Sequence, residues 1–153
     1  MTPNVSVDAS PFLTPSDAVC PPGFLALATG TAPRPVAFVR AVGRPILETA
    51  RDALAAGLAV PILIGEAARI EDDAAAIGWD LAGASIIDAA GEQAAIDVAV
   101  AEVGAGRAHG LIKGQIHTDV FMGTIVRRAS GIRTDRRLVH IFAMLPPGGD
   151  ARC

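Results

Sequence analysis

The sequence predicts an α/β domain whose sheet is mostly parallel and flanked by helices. From Pro35 onwards, short apolar runs alternate with stretches of helical periodicity, joined by connections of a few residues. The apolar runs are continuous, which is typical of strands covered by helices on both faces. Hydrophobic residues make up 51% of the chain and charged residues 19%, a globular rather than a disordered composition.

Five strands and four helices are predicted in alternation. The strands are PVAFVR (35–40), VPILIG (60–65), ASIIDA (84–89), AHGLIKG (108–114) and RRLVHIFAML (136–145). The helices are GRPILETARDALAAG (43–57), EAARIEDDAAAIG (66–78), GEQAAIDVAVAEVGAG (91–106) and TDVFMGTIVRRASG (118–131). Thr118 or Asp119 is expected to cap the last helix, since both residue types accept hydrogen bonds from free backbone N–H groups.

The two ends of the chain differ from this pattern. Residues 1–34 contain most of the prolines and are predicted to be a flexible tail or linker, with one short helix near GFLALA. Residues 35–145 form the predicted domain, and residues 146–153 are a second tail. The amino terminus lacks the basic and apolar regions of a signal peptide, so a cytoplasmic location is expected.

Charge and composition exclude several kinds of partner. A net charge of −3 and an aromatic content of 4% give no basic or base-stacking surface for nucleic acid. No apolar stretch reaches the length needed to span a membrane. Cys20 and Cys153 lie near opposite ends, and no set of residues has metal-ligand spacing.

The strongest candidate site is the turn that contains the single lysine of the chain. Lys113, Gly114, His117 and Thr118 span the turn from the end of the fourth strand to the start of the fourth helix. A helix N-terminus offers free N–H groups and a positive dipole end, and lysine adds a full charge, so the turn suits phosphate or another anion. The alternative is a capped helix whose lysine and histidine point to solvent.

A second candidate is a positive rim after the last helix. Five arginines lie within RRASGIRTDRR (127–137), and Arg127, Arg128 and Arg133 could attract a phosphorylated or nucleotide-bearing substrate. The alternative is that arginines at the C-terminal end of a helix complement its dipole.

Two stretches of the sequence resemble the phosphate acetyl/butyryltransferases, including the transferase part of bifunctional enoyl-CoA hydratase/phosphate acetyltransferases. They are PILETARDALAAGLAVPILIGEAARI (45–70) and LIKGQIHTDVFMGTIVRRASGIRTDRRLVHIFAM (111–144). The resemblance implies transfer of an acyl group between coenzyme A and inorganic phosphate, without a metal or prosthetic group. It also implies a fold similar to isocitrate and isopropylmalate dehydrogenases. Lys113, Gly114, His117 and Thr118 match the family's K-G-x-x-H-T turn and are expected at the phosphate or acyl-phosphate.

The resemblance covers the N-terminal half of the family only. It therefore implies a truncated first domain, in a truncated or split member with little activity alone. Such a chain would be completed by a homo-oligomer or a complementary half-chain. The alternative is a non-catalytic α/β module that binds an anion, coenzyme A or a partner chain.

Overall fold

A computed structural model describes residues 22–28, 30–136, 138–139 and 141. Residues 31–137 form one compact unit, and residues 1–30 with 138–153 form a second. In the second unit, α1 spans Pro22–Ala28, which confirms the short helix predicted near GFLALA. The predicted division into tail, domain and tail stays a prediction.

The larger unit is a parallel sheet flanked by helices, which confirms the predicted α/β class. Its strands are β1 (Arg34–Val39), β2 (Ala59–Gly65), β3 (Ser85–Asp88) and β4 (Leu111–Lys113). Its helices are α2 (Arg44–Ala55), α3 (Ala67–Ala76), α4 (Gly91–Gly104) and α5 (Thr118–Ile125), followed by a 3-10 turn at Arg128–Ser130. The relationship to the dehydrogenase folds stays a prediction. None of the helices in the described ranges is long and apolar enough to cross a membrane.

The strand order is β3-β2-β1-β4, so the direction of winding reverses next to β1. The chain steps from β1 to β2 to β3, and α4 then returns it to the other side of β1. Val39 of β1 lies beside Lys113 of β4, and both strands end there. In open parallel sheets, ligands bind outside the carboxyl ends of the strands at such a reversal.

Each face of the sheet has its own buried core. Phe38 and Leu63 face α2 and α3, where Leu47 and Ile70 are fully buried. The intervening strand residues face α4 and α5: Ala37, Val39, Ile62 and Ile64 pack with Ala95, Ile96 and Phe121. Successive strand residues point to opposite faces, so covering both faces requires the continuous apolar runs seen in the sequence.

The last predicted helix is shorter than expected. α5 ends at Ile125, and Arg127 adopts an extended conformation (φ −63°, ψ 139°) before the 3-10 turn. The helix ends within a run of one glycine and three β-branched residues, all weak helix formers, at positions 123–126. His117 is the N-cap residue, so the expectation of Thr118 or Asp119 in that position is wrong.

The predicted fifth strand is not seen in the described part of the chain. Of residues 136–145, only 136, 138, 139 and 141 are described, and none of these four lies in a strand. The other six residues, His140 among them, lie outside the described residues.

Gly114 is required by a close approach of two backbone segments. A Cβ atom at this position would lie 2.5 Å from the carbonyl oxygen of Arg40 and 2.6 Å from that of Val39. The N–H of Gly114 donates to Val39 O at 2.9 Å, and that of Gln115 donates to Arg40 O at 3.1 Å. These bonds join the end of β4 to the end of β1 and leave no room for a side chain.

We expect Gly114→Ala to lower the free energy of unfolding by about 1–3 kcal/mol, because the added methyl group must displace backbone atoms. Gly123→Ala is the matched control, since a Cβ atom there meets no atom of the described residues within 4 Å. In the interior of α5 it should raise stability by about 0.5–1 kcal/mol. Urea unfolding measures both variants, and similar effects of the two would contradict the close-approach argument.

Candidate functional site at the carboxyl edge of the sheet

Four ionisable side chains from different strand–helix connections meet at the carboxyl edge of the sheet. Arg40 follows β1, Glu66 follows β2, Glu92 lies in the first turn of α4 after β3, and His117 precedes α5 after β4. We call these four residues the edge cluster. They lie together because the strands are parallel and end on the same side.

Arg40 connects the members of the edge cluster. Its Nη1 atom donates to Glu92 Oε1 at 3.2 Å and to the backbone oxygen of Gln115 at 2.9 Å. Its Nη2 atom lies 3.5 Å from Glu66 Oε1. The backbone of Arg40 has a φ of +51°, which is uncommon for a residue with a side chain. The fold thus tolerates an unfavourable backbone conformation at the residue that joins three connections.

The Glu92 carboxylate contacts both the backbone N–H and the ring of His117. Glu92 Oε2 accepts the backbone N–H of His117 at 3.0 Å, and the two carboxylate oxygens lie 2.8 and 2.9 Å from Nδ1. The pKa of Glu92 is lowered most by the hydrogen bond from the backbone N–H of His117. The hydrogen bond from the ring and then the charges of His117 and Arg40 lower it further. An ionised carboxylate only accepts hydrogen bonds, so Nδ1 carries the proton.

Glu66 links Arg40 to the N-terminus of α4. Its Oε1 atom accepts the backbone N–H of Gly91 at 3.2 Å. Hydrogen bonds from its own backbone N–H, from Gly91 and from Arg40 lower the pKa of Glu66 against the opposing effect of burial. Two buried atoms of the edge cluster, Arg40 Nε and Glu66 Oε2, have no hydrogen-bond partner among the residues that the structure describes. Buried polar atoms without a partner are uncommon in proteins, and a functional site is one of the places where they occur.

The structure brings the predicted turn next to the edge cluster. Lys113 is the last residue of β4 and Thr118 is the first of α5, with Gly114 and His117 between them. The Lys113 side chain is exposed, and neither its Nζ atom nor Thr118 Oγ1 bonds to any residue in the described ranges. Phosphate binding by these residues stays a prediction.

Carboxylates from α4 and α5 lie beside the turn, as well as cations. Glu92 already accepts the N–H of the N-cap residue of α5, a position where a bound anion would otherwise receive it. Asp119 follows in the first turn of the helix. An anion bound here would therefore depend on Lys113, on Thr118 and on the next amides of α5 rather than on the N-cap amide.

The predicted positive rim lies at the opposite end of α5. The helix has eight residues, so Arg127 is about 12 Å along its axis from the lysine turn. Arg127 lines a cavity of about 250 Å³ between α4 and the 3-10 turn, together with Asp97 and Ser130. Arg133 Nη1 donates to Val126 O at 3.2 Å, and the side chain of Arg128 lies outside the described residues. The rim's role stays a prediction.

Sequence reasoning missed Arg40, Glu66 and Glu92. A usable signal was present, because the first two directly follow apolar runs that end strands. A charged residue directly after a buried parallel strand points to the ligand-binding edge. Within the described ranges, no group of three or more histidines, cysteines or carboxylates could hold a metal ion.

Comparison with known proteins bears on what this edge does. No protein-family model matches the chain. The phosphate acetyltransferase of Rhizobium meliloti is 40% identical over 114 residues, covering 72% of this chain and 36% of that protein. The phosphate butyryltransferase of Clostridium acetobutylicum is 32% identical over 106 residues, covering 69% of this chain and 35% of that protein. The match is to phosphate acyltransferases.

The resemblance found in the sequence is thereby confirmed as a partial match to that family. The phosphate acetyltransferase of Rickettsia typhi extends it, with 32% identity over 117 residues, or 76% of this chain and 34% of that protein. The matched stretch spans about a third of the length of these phosphate acyltransferases.

The lowered pKa values of Glu66 and Glu92 predict a specific loss of stability in acid. Both carboxyls are depressed below the ordinary value of 4.5, so they stabilise the fold above pH 4.5. This contribution disappears as the pH falls through their folded-state pKa values. The free energy of unfolding of wild type should therefore exceed that of the Glu66→Gln/Glu92→Gln double variant at neutral pH, and the difference should shrink below pH 4.5.

Chemical unfolding at several pH values measures this difference. Glu71→Gln is the control, because Glu71 is exposed on α3 and makes no side-chain hydrogen bond within the described ranges. It should follow the wild-type profile. A difference between wild type and the double variant that does not change with pH would contradict the prediction.

Proposed function

We propose that the carboxyl edge of this sheet forms the phosphate-binding wall of an acyl-transfer site. The reaction would move an acyl group between coenzyme A and inorganic phosphate. The observation that supports this most is the position of the K-G-x-x-H-T-D turn at the winding reversal, in a chain with 40% identity to a phosphate acetyltransferase. The acyl-CoA and phosphate substrates are part of this proposal.

In the proposed site, Lys113 supplies the charge that attracts phosphate. Arg40, the other nearby cation, is already bonded to Glu92 and approached by Glu66. Lys113 has no partner in the described part of the chain, so its charge is available to a ligand. Thr118 Oγ1 and the first amides of α5 add neutral donors, and such donors favour a dianion at a helix N-terminus.

This edge alone provides one wall rather than an enclosed site. The Lys113 side chain is exposed, and that of His117 is 79% exposed. Acyl transfer requires donors that stabilise the tetrahedral transition state and a surface that excludes water. We propose that a second copy or a complementary chain supplies the facing surface. The isolated chain should then bind phosphate yet turn over slowly.

The alternative function is a non-catalytic module that binds an anion, coenzyme A or a partner chain. The carboxylates of the edge cluster are paired with Arg40 and with backbone N–H groups, which is compatible with either function. Phosphate-dependent loss of thioester absorbance, with acetyl-CoA and butyryl-CoA, separates the two. Any turnover that disappears in Lys113→Ala supports the transferase, whereas binding without turnover under all conditions supports the module.

We expect Lys113→Ala to weaken phosphate binding about tenfold or more, because a hydrogen bond to a charged group contributes about 1.5–3 kcal/mol. Isothermal titration calorimetry with inorganic phosphate measures the change. Arg107→Ala is the control, since it removes an exposed cation at the end of α4, on the opposite edge of the sheet. Unchanged phosphate affinity in Lys113→Ala would contradict the proposal and would mean that the lysine only points to solvent.

A further inference from the structure

We infer that the cavity between α4 and the 3-10 turn binds a free amino acid with a short aliphatic side chain. Arg127 holds the carboxylate of this ligand, Asp97 holds its ammonium group, and apolar residues of the cavity contact its side chain. The cavity lies at the opposite end of α5 from the lysine turn, and the inference does not rest on the proposed function.

The size of the cavity limits the ligand to a small molecule. Its volume is about 250 Å³. A protein cavity of about 150 Å³ takes up benzene, a ligand of six non-hydrogen atoms, so about ten such atoms fit in this one. Pockets for drug-sized ligands begin at about 300 Å³. A free amino acid such as valine, with eight non-hydrogen atoms, is within the limit.

The side of the cavity formed by α5 offers donors for a carboxylate. Arg127 is exposed, and its side chain forms no hydrogen bond or ion pair within the described ranges. Its planar guanidinium can donate two parallel hydrogen bonds to one carboxylate. Thr124, one turn earlier, is 4% exposed, and its Oγ1 atom accepts from Gln93 Nε2 at 3.2 Å. Its hydroxyl donates to none of the described residues, so the hydroxyl hydrogen is available to the ligand.

The side of the cavity formed by α4 offers an acceptor of opposite charge. Asp97 Oδ1 accepts from Gln93 Nε2 at 2.9 Å, and the same nitrogen donates to Thr124. Asp97 Oδ2 has no partner in the part of the chain that the structure describes. Gln93 therefore orients both polar groups and leaves one carboxylate oxygen for an ammonium group. Asp97 and Arg127 line the same cavity without forming an ion pair with each other.

These two charges favour a ligand that carries both signs. Phosphate or a simple carboxylate would be attracted by Arg127 but repelled by Asp97, and an amine would meet the reverse. A zwitterion offers each side chain an opposite charge. An α-amino acid carries its carboxylate and ammonium group on one carbon, so both fit in a cavity of this volume. A peptide carries its terminal charges on different residues, farther apart.

The apolar part of the lining favours an aliphatic side chain. It consists of Val100 and Ala101 from α4 and Ala129 from the 3-10 turn. An aliphatic group that contacts these residues leaves water, which stabilises the complex. The hydroxyl of Ser130, which also lines the cavity, already donates to Ile125 O at 3.1 Å and is not free to donate to a polar side chain.

Amide NMR of the full chain, titrated with valine, isovalerate and isobutylamine, tests the inference. Isovalerate is valine without its amino group, and isobutylamine is valine without its carboxylate. We expect valine to bind about tenfold or more tightly than either analogue, because each analogue lacks one charged hydrogen-bonding group. Shift changes should concentrate at residues 97–101, 124 and 127–130. Glycine, which has both charges but no side chain, should bind several-fold more weakly than valine.

Exchanging the two charged side chains for amides tests the role of each. Asp97→Asn keeps an acceptor oxygen for Gln93. It should lower the affinity for valine about tenfold and raise the affinity for isovalerate, since the repulsion is gone. Arg127→Gln should lower the affinity for valine similarly and raise that for isobutylamine. Opposite changes for two ligands cannot result from a collapsed cavity. Asp72→Asn and Arg44→Gln, on the helices of the other sheet face, are the controls and should bind valine as wild type does.

Four results would overturn the inference. They are the absence of saturable shift changes with valine at tens of millimolar, shift changes away from the cavity, equal affinities for valine and isovalerate, and equal affinities for valine and glycine. Loss of valine binding in Asp97→Asn without a gain in isovalerate binding would overturn the assignment of the charges. Because neither phosphate nor coenzyme A enters the experiment, its outcome is independent of the proposed function.

Discussion

The ion pair between Arg40 and Glu92 is the interaction on which the carboxyl edge depends. It joins the end of β1 to the first turn of α4, and the same guanidinium bonds to the β4–α5 turn through Gln115 O at 2.9 Å. The two side chains are 23% and 21% exposed, so neither charge is fully hydrated. Removing one partner would leave the other partly buried without compensation, which costs more than an exposed pair contributes.

Carboxylates from neighbouring elements bind N–H groups at the starts of several helices. Asp88 accepts the N–H of Ala67 at 2.9 Å, and Asp73 accepts that of Gly43 at 2.7 Å. Glu66 and Glu92 do the same at α4 and before α5. The positive helix ends along this edge are thus largely compensated by the chain itself. A further anion at this edge would need an uncompensated cation, which is the role that we propose for Lys113.

The sequence predicted the layers of the fold better than it predicted the site. Continuous apolar runs identified β1 to β4 because both sheet faces are covered. Gly114 was singled out because a lysine, a histidine and a threonine lie close to it in the sequence. The need for Gly114 came instead from the backbone of Val39 and Arg40, a contact that depends on which strands are neighbours. Glu92 and His117 are 25 positions apart, and only the strand order brings them into contact. The end of α5 was predicted too late, because apolar periodicity takes no account of the weak helix propensity of residues 123–126.

Amide NMR of the uniformly labelled chain, titrated with inorganic phosphate and then with coenzyme A, tests the central claim most directly. The claim is that the ligands bind at the winding reversal between β1 and β4. The account predicts that shift changes will concentrate at residues 40–43, 65–67, 90–92 and 113–119, around the edge cluster and the lysine turn. Changes confined to the cavity beside Arg127, or the absence of changes at millimolar ligand, would contradict it.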